Sequence, residues 1–242
     1  MRKYRFYYPN QLVVGKTYLL DEVNNHQILK VLRLKPENEI WLFNNTNFEF
    51  KALIQKINKD GITVIVNEKI SNNKESNCKI YLAQAIAKGQ KMDYIIQKAV
   101  ELGVTCIIPL ISARTIVDIA AKKIPARIEH WKKIIIGACC QCGRNVLPTM
   151  HIPITFQEWV IQNQNITQII LDPNSNHSIT KVTANNYINL FVGPEGGFSK
   201  DELTWAKQRN CLSVSLGSRI LRTETASVVA ITALQLQFGD LS

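Results

Sequence analysis

Two segments carry residue types whose spacing suits chemistry. The first is Leu190-Phe191-Val192-Gly193-Pro194-Glu195-Gly196-Gly197-Phe198-Ser199, an apolar run that enters a loop with three glycines. Glycine permits positive φ and lets another molecule approach the backbone closely. Ser199 and Glu202, three residues apart, have the pattern of a capping box that opens a helix. Strand, glycine loop and helix in that order put the loop at the carboxyl end of a strand, where open α/β sheets bind ligands. The spacing is neither G-x-x-x-x-G-K-[ST] nor G-x-G-x-x-G, so the usual ATP and dinucleotide readings lose their main support. A tight turn with no ligand would use the same glycines.

The second segment is Ser215-Leu216-Gly217-Ser218-Arg219-Ile220-Leu221-Arg222-Thr223-Glu224-Thr225-Ala226. Here too a strand ends in a glycine loop and a helix begins near Thr223. Arg219 and Arg222 face the positive end of that helix dipole, which disfavours cations. The placement calls either for an anionic partner or for an ion pair with Glu224.

Behind these loops the chain has two rhythms. Residues 1–72 read as short β-rich runs (5–8, 17–20, 39–43, 48–57 and 62–68) with one helical stretch at 25–34, which suggests a small barrel. The polar stretch 71–77 marks a boundary. Beyond it, strands at 79–87, 105–110, 168–171, 188–192 and 212–216 alternate with helices at 92–102, 125–142, 157–162, 200–209 and 224–238. That alternation indicates an α/β fold with a parallel sheet. The domains are expected at 1–72 and 73–242.

Charge narrows the partners. The 242 residues hold 29 Lys+Arg against 19 Asp+Glu, a formal net charge of +10. Such an excess favours polyanions, nucleic acid first. Residues 1–72 hold 11 basic and 7 acidic side chains, and 122–144 hold six basic against one acidic. The second stretch is either a solvated face or a surface that tracks phosphates. With 46% hydrophobic residues the composition is globular, which excludes a disordered chain and a disulfide-stapled miniprotein. No apolar run is long enough to span a membrane, and the basic N-terminus lacks the apolar core of a secretory signal. Six cysteines without framework spacing read as free thiols of a cytoplasmic protein. Only Cys139 and Cys142 of the 139–142 cluster share a helix face, so no metal site is expected.

The two loop segments together closely resemble the signature of the ribosomal RNA small subunit methyltransferase E family, a branch of the SPOUT methyltransferases. Three further stretches agree in order: residues 84–93, residues 97–104, and Gln141-Cys142-Gly143-Arg144. The match departs at Cys140, where the family usually has Glu. The resemblance implies a PUA-like β-barrel that contacts RNA, followed by a parallel α/β sheet tied in a trefoil knot. It implies a homodimer that uses S-adenosylmethionine to methylate N3 of a uridine in 16S ribosomal RNA, free or in the small subunit. The cofactor would lie against Leu171, Asp172 and Pro173, against Val192, Gly193, Pro194, Glu195, Gly196 and Gly197, and against Leu216, Gly217, Ser218, Arg219, Ile220 and Leu221. Uridine N3 must lose a proton, so a carboxylate suits the general base and an arginine the developing anion. Arg222 is assigned to the anion, and Glu195 or Glu224 to the base. RNA contacts are expected at Arg5, Lys30, Arg33, Lys132, Lys133 and Arg144. A ribose 2′-hydroxyl methyltransferase of the same fold and a non-catalytic RNA-binding protein are the alternatives.

Overall fold

The structure is a computed structural model that describes residues 3–115 and 121–241. Its contacts divide the chain into two compact units. One is Met1–Glu75 with Cys139–Leu147, and the other is Ser76–Ala138 with Pro148–Ser242.

The first unit is built on a five-stranded sheet. Its strands are β1 (Arg5–Tyr7), β2 (Thr17–Leu19), β3 (Glu39–Phe43), β4 (Phe48–Asn58) and β5 (Gly61–Ser71), in the order β1-β3-β4-β5-β2. Only β1 and β3 run parallel; the other pairs are antiparallel. Alternate residues point to one core, as the pleat requires: Ile40 and Leu42, then Phe50, Ala52 and Ile54, then Ile62, Val64 and Val66. Register shifts at Lys51/Ala52 and Ile54/Lys56 interrupt the long β4–β5 ladder. Such bulges bend a strand and increase its twist.

The helix expected at 25–34 is two pieces. Asp21 caps α1 (Glu22–His26), its Oδ1 accepting from the Asn24 N–H at 2.8 Å, so the helix starts three residues early. A wide π-helical turn, Gln27–Leu32, follows and inserts Ile28 into the core. Arg33 ends it in the left-handed region, at φ 53°.

The second unit holds a seven-stranded sheet in the order β12-β10-β11-β6-β7-β8, with β9 also against β7. The strands are β6 (Lys79–Ala85), β7 (Cys106–Ile111), β8 (Thr149–Met150), β9 (Ile154–Thr155), β10 (Thr167–Leu171), β11 (Tyr187–Val192) and β12 (Leu212–Val214). Every pair is parallel. The helices are α2 (Lys91–Glu101), α3 (Ile124–Cys142), α4 (Phe156–Gln162), α5 (Lys200–Lys207) and α6 (Thr223–Phe238). The central strands are nearly continuous apolar runs, as strands covered on both faces must be. Phe156 seals one face, its ring 5.4 Å from Phe191 and 5.0 Å from Phe198. Strands β8 and β9 are two residues each, too short to leave a period in the sequence. The strand expected to 216 stops at Val214, because the Ser215 N–H turns to the His177 carbonyl at 2.8 Å.

A buried ionic cluster corrects two expected RNA contacts. Arg5 is 8% exposed and Arg144 4%. Arg5 pairs with Glu49 at 2.6 Å and donates to the Arg144 carbonyl at 2.9 Å and to Asn145 Oδ1 at 2.8 Å. Arg144 Nε donates to Glu75 Oε1 at 3.0 Å, and Asn145 Nδ2 donates to the Asn72 carbonyl at 2.7 Å. Both guanidiniums are therefore neutralised by carboxylates, Glu49 buried and Glu75 half-buried, and fasten Cys139–Leu147 to the five-stranded sheet; neither faces solvent. A buried charge that loses its partner costs about 3–5 kcal/mol. Glu49→Ala should lower the stability of the barrel by about that amount in urea unfolding followed by Trp41 fluorescence. Unchanged unfolding would mean that water already reaches Arg5.

Candidate active site

Three loops leave the carboxyl ends of β10, β11 and β12. After β11, Gly193 lies so close to the far side of its own loop that a Cβ would sit 3.1 Å from the Gly197 Cα. Gly197 has φ +66° and closes the turn with an N–H to the Pro194 carbonyl at 2.9 Å. Both positions thus need glycine, one for space and one for conformation. The capping box forms as read: Ser199 Oγ accepts from the Glu202 N–H at 3.1 Å and Glu202 Oε2 from the Ser199 N–H at 2.8 Å. After β10, the Asp172 N–H donates to the Val214 carbonyl at 2.9 Å, and Ser213 Oγ donates to Asp172 Oδ2 at 3.3 Å.

These loops enclose a cavity of about 360 Å³, lined by Leu171, Asp172 and Pro173, by Val192, Gly193, Pro194, Glu195, Gly196 and Gly197, and by Ile220 and Leu221. A recess of about 40 Å³ shares Leu171, Asp172, Pro173 and Leu221 and adds Leu216, Gly217 and Arg219. Ser218 lines neither. The wall also includes Arg114, Asn174, Phe198, Leu203, Thr223 and Ala226, none of which was assigned a cofactor contact from sequence. Its size falls in the range of small-molecule sites.

A buried polar chain ties the loops together. Gln84, at the end of β6, is fully buried. Its Nε2 donates to the Ala85 carbonyl at 2.9 Å and to Thr223 Oγ1 at 3.0 Å, while its Oε1 accepts from Ser227 Oγ at 2.6 Å. Thr223 Oγ1 passes its own proton to the Gly193 carbonyl at 2.7 Å. The start of α6 is thereby fixed to the glycine loop.

Glu195 and Glu224 do not pair with the arginines. Lys91 Nζ lies 3.1 Å from Glu195 Oε1 and 3.9 Å from Glu224 Oε2. Burial opposes the charge of Glu195. Its own backbone N–H, the Lys91 ammonium and the Lys88 N–H outweigh burial and hold the carboxyl below its ordinary value of 4.5. Glu224 Oε2 is buried with no hydrogen-bond partner among the described residues. Arg222 occupies the N-cap of α6 and is exposed, as is Arg219. Among the described residues, no group of three His, Cys, Asp or Glu side chains is placed to hold a metal ion. Burial pushes the Cys106 and Cys211 thiols up to about 11 and Cys139 to about 12.

The chain matches an RNA methyltransferase domain over residues 74–235 and an RNA methyltransferase PUA domain over residues 26–67. It is 41% identical over 238 residues to the ribosomal RNA small subunit methyltransferase E of Buchnera aphidicola, covering 98% of this chain and 94% of that one. The Bacillus subtilis protein of the same name is 29% identical, covering 94% and 93%. The chain belongs to the ribosomal RNA small subunit methyltransferase E family. A crystal structure of a ribosomal RNA small subunit methyltransferase E from Neisseria gonorrhoeae, bound to S-adenosyl methionine, superposes with a TM-score of 0.92 at 36% identity over the full length of both chains. A Legionella pneumophila chain in complex with the bound cofactor SAM does so with a TM-score of 0.96 at 38% identity, again over both full lengths.

In this member of the methyltransferase E family, Lys30, Arg33, Lys132 and Lys133 are all exposed. Lys132 pairs with Glu129 at 2.9 Å one turn away on α3, an exposed contact of little energetic weight. No helix is long and apolar enough to cross a membrane among the described residues.

The Lys91–Glu195 clasp has a pH signature. A carboxyl held below its ordinary value stabilises the fold above pH 4.5, and that contribution disappears as pH falls through the lowered value. Glu195→Gln should therefore melt below wild type at neutral pH, and the two curves should merge in acid. A constant difference down to about pH 3 would contradict the clasp.

Proposed function

We propose that this chain transfers a methyl group from S-adenosylmethionine to N3 of a uridine in the 16S ribosomal RNA of the small subunit. The observation that carries this reading is the convergence of three strand-end loops, 171–173, 192–197 and 216–221, on one cavity. Its walls fit the cofactor. Apolar Leu171, Val192, Leu203 and Leu221 suit an adenine ring, and glycine backbone lets a ligand come close to main-chain donors and acceptors. The names of the relatives, and the bound cofactor in the Neisseria and Legionella structures, support the same reading.

When bound, the cofactor supplies an electrophilic methyl group on a sulfonium. The protein must do the rest. Uridine N3–H is weakly acidic, so its proton must be taken and the resulting charge held. Glu195 is a poor base because the Lys88 N–H and the Lys91 ammonium both donate to its Oε1 and favour the charged, weakly basic carboxylate. Glu224, half-buried and farther from the Lys91 ammonium than Glu195 is, takes the N3 proton. Arg222, two residues before it and exposed, holds the negative charge on the pyrimidine ring. A uridine within a helix must be unstacked to reach these groups.

Residues 1–72 act as the RNA-binding domain, with Lys30 and Arg33 exposed on it, and residues 73–242 carry the chemistry. The catalytic domain is tied in a trefoil knot. The position of β10 between β11 and β12 supports this, as does the return of the chain after β12 to the Gly193 carbonyl. The protein works as a homodimer in the cytoplasm. Exposed Ile220, Val229 and Leu236 support the dimer, and six free thiols suit a reducing compartment.

The deciding experiment treats small subunits that lack the modification with purified protein and labelled cofactor, then maps the methyl group. Label at a uridine N3 is expected; label on ribose, or none, overturns the proposal. Arg222→Ala should cut turnover by about 10²-fold or more with cofactor affinity unchanged. Wild-type turnover would remove Arg222 from the chemistry. Glu at both Lys132 and Lys133 should weaken RNA binding and flatten its salt dependence, while leaving cofactor affinity unaltered. Unchanged RNA affinity would make that stretch a solvated face.

A further inference from the structure

The larger cavity has three charged wall residues among those described: Asp172, Glu195 and Arg114. Arg114 comes from outside the three loops. It sits on the turn that follows β7, closed by the Ser112 N–H to Thr115 Oγ1 at 2.9 Å and by the Thr115 N–H to the Ser112 carbonyl at 3.0 Å. Glu202 holds that turn from α5, its Oε1 accepting from the Ala113 N–H at 2.8 Å. The backbone beneath Arg114 is thus fixed to the helix that follows the glycine loop.

From this base the side chain crosses Gly196. Nη1 donates to the Gly196 carbonyl at 2.7 Å. The stem passes over the bare Cα, since a Cβ at Gly196 would lie 3.5 Å from the Arg114 Cδ. A guanidinium has five N–H donors, and this bond uses one. The other donors are held at the wall of a cavity whose remaining charges are negative. Arg219 lines the small recess instead, and Arg222 lines neither.

S-Adenosylmethionine carries a sulfonium, an ammonium and one carboxylate. Asp172 matches a positive group, while Glu195 already has the Lys91 ammonium as its partner. Arg114 is the cation on this wall that matches the negative one. We propose that Arg114 binds the carboxylate at the amino-acid end of the cofactor; this rests on the S-adenosylmethionine reading given above. The planar fork of arginine accepts a carboxylate through two parallel bonds, which a lysine does not reproduce. Its bond to Gly196 keeps the fork aimed before any ligand arrives.

The test compares two ligands by calorimetry: S-adenosylmethionine, and its decarboxylated form, which keeps the adenosine, sulfonium and ammonium. Arg114→Gln should weaken S-adenosylmethionine about tenfold or more, the worth of a lost charge-assisted bond, and leave the decarboxylated ligand within about twofold of wild type. Equal weakening of both ligands would mean that Arg114 only braces the glycine loop, and would overturn the proposal. No weakening of either would overturn it too. Should Arg114→Gln fail to fold by circular dichroism, Arg114→Lys is expected to show the same selective loss to a smaller degree. Wild-type protein that binds neither ligand would defeat the cofactor reading itself, a result distinct from a wild type that binds both while the variant is unaltered.

Discussion

The geometry of the site depends on one buried amide. Gln84 is shut off from water at the end of a central strand, so each of its polar atoms must find a partner in the protein or cost free energy. Its amide nitrogen serves Ala85 and Thr223, and its oxygen serves Ser227. Only one orientation of the amide satisfies these three groups, because the Thr223 hydroxyl must keep its proton for the Gly193 carbonyl. A single side chain therefore sets where α6 begins and where the glycine loop lies. The loops themselves carry few side chains able to hold such a position.

The division of labour follows from that. Backbone in glycine-rich loops gives close contact but little charge. Beyond Asp172 and Glu195 on the loops, charge is brought in from neighbouring elements: Lys91 from the start of α2, Arg114 from the turn after β7, Arg222 and Glu224 from the start of α6. Each of these elements is anchored by the parallel sheet, whose strand ends face the same way. Side chains far apart in sequence thus arrive at one rim without any one loop having to order them all.

What the sequence disclosed and what it hid have physical causes. The glycine loop and its capping box were legible because close approach, positive φ and helix starts leave marks within a few residues. Strand and helix cores were legible through their apolar period, while their ends shifted by a residue or two where a local bond intervened, as at Ser215 and Asp21. Gln84 and Lys91 lie in the 84–93 stretch that resembles the family, but neither they nor Arg114 received a role from sequence, since those roles depend on partners more than 80 residues away. Arg5 and Arg144 were misread for the converse reason. A count of basic residues registers charge but not the carboxylates, Glu49 and Glu75, that take it up.

Glu202 was introduced as half of a capping box, yet its two oxygens belong to different loops. Oε2 holds the Ser199 N–H, at the end of the glycine loop, and Oε1 holds the Ala113 N–H, in the turn that bears Arg114. Two walls of the cavity are thereby joined at one corner through a single carboxylate. That corner of the cavity is set by a carboxylate that lines neither the cavity nor its recess.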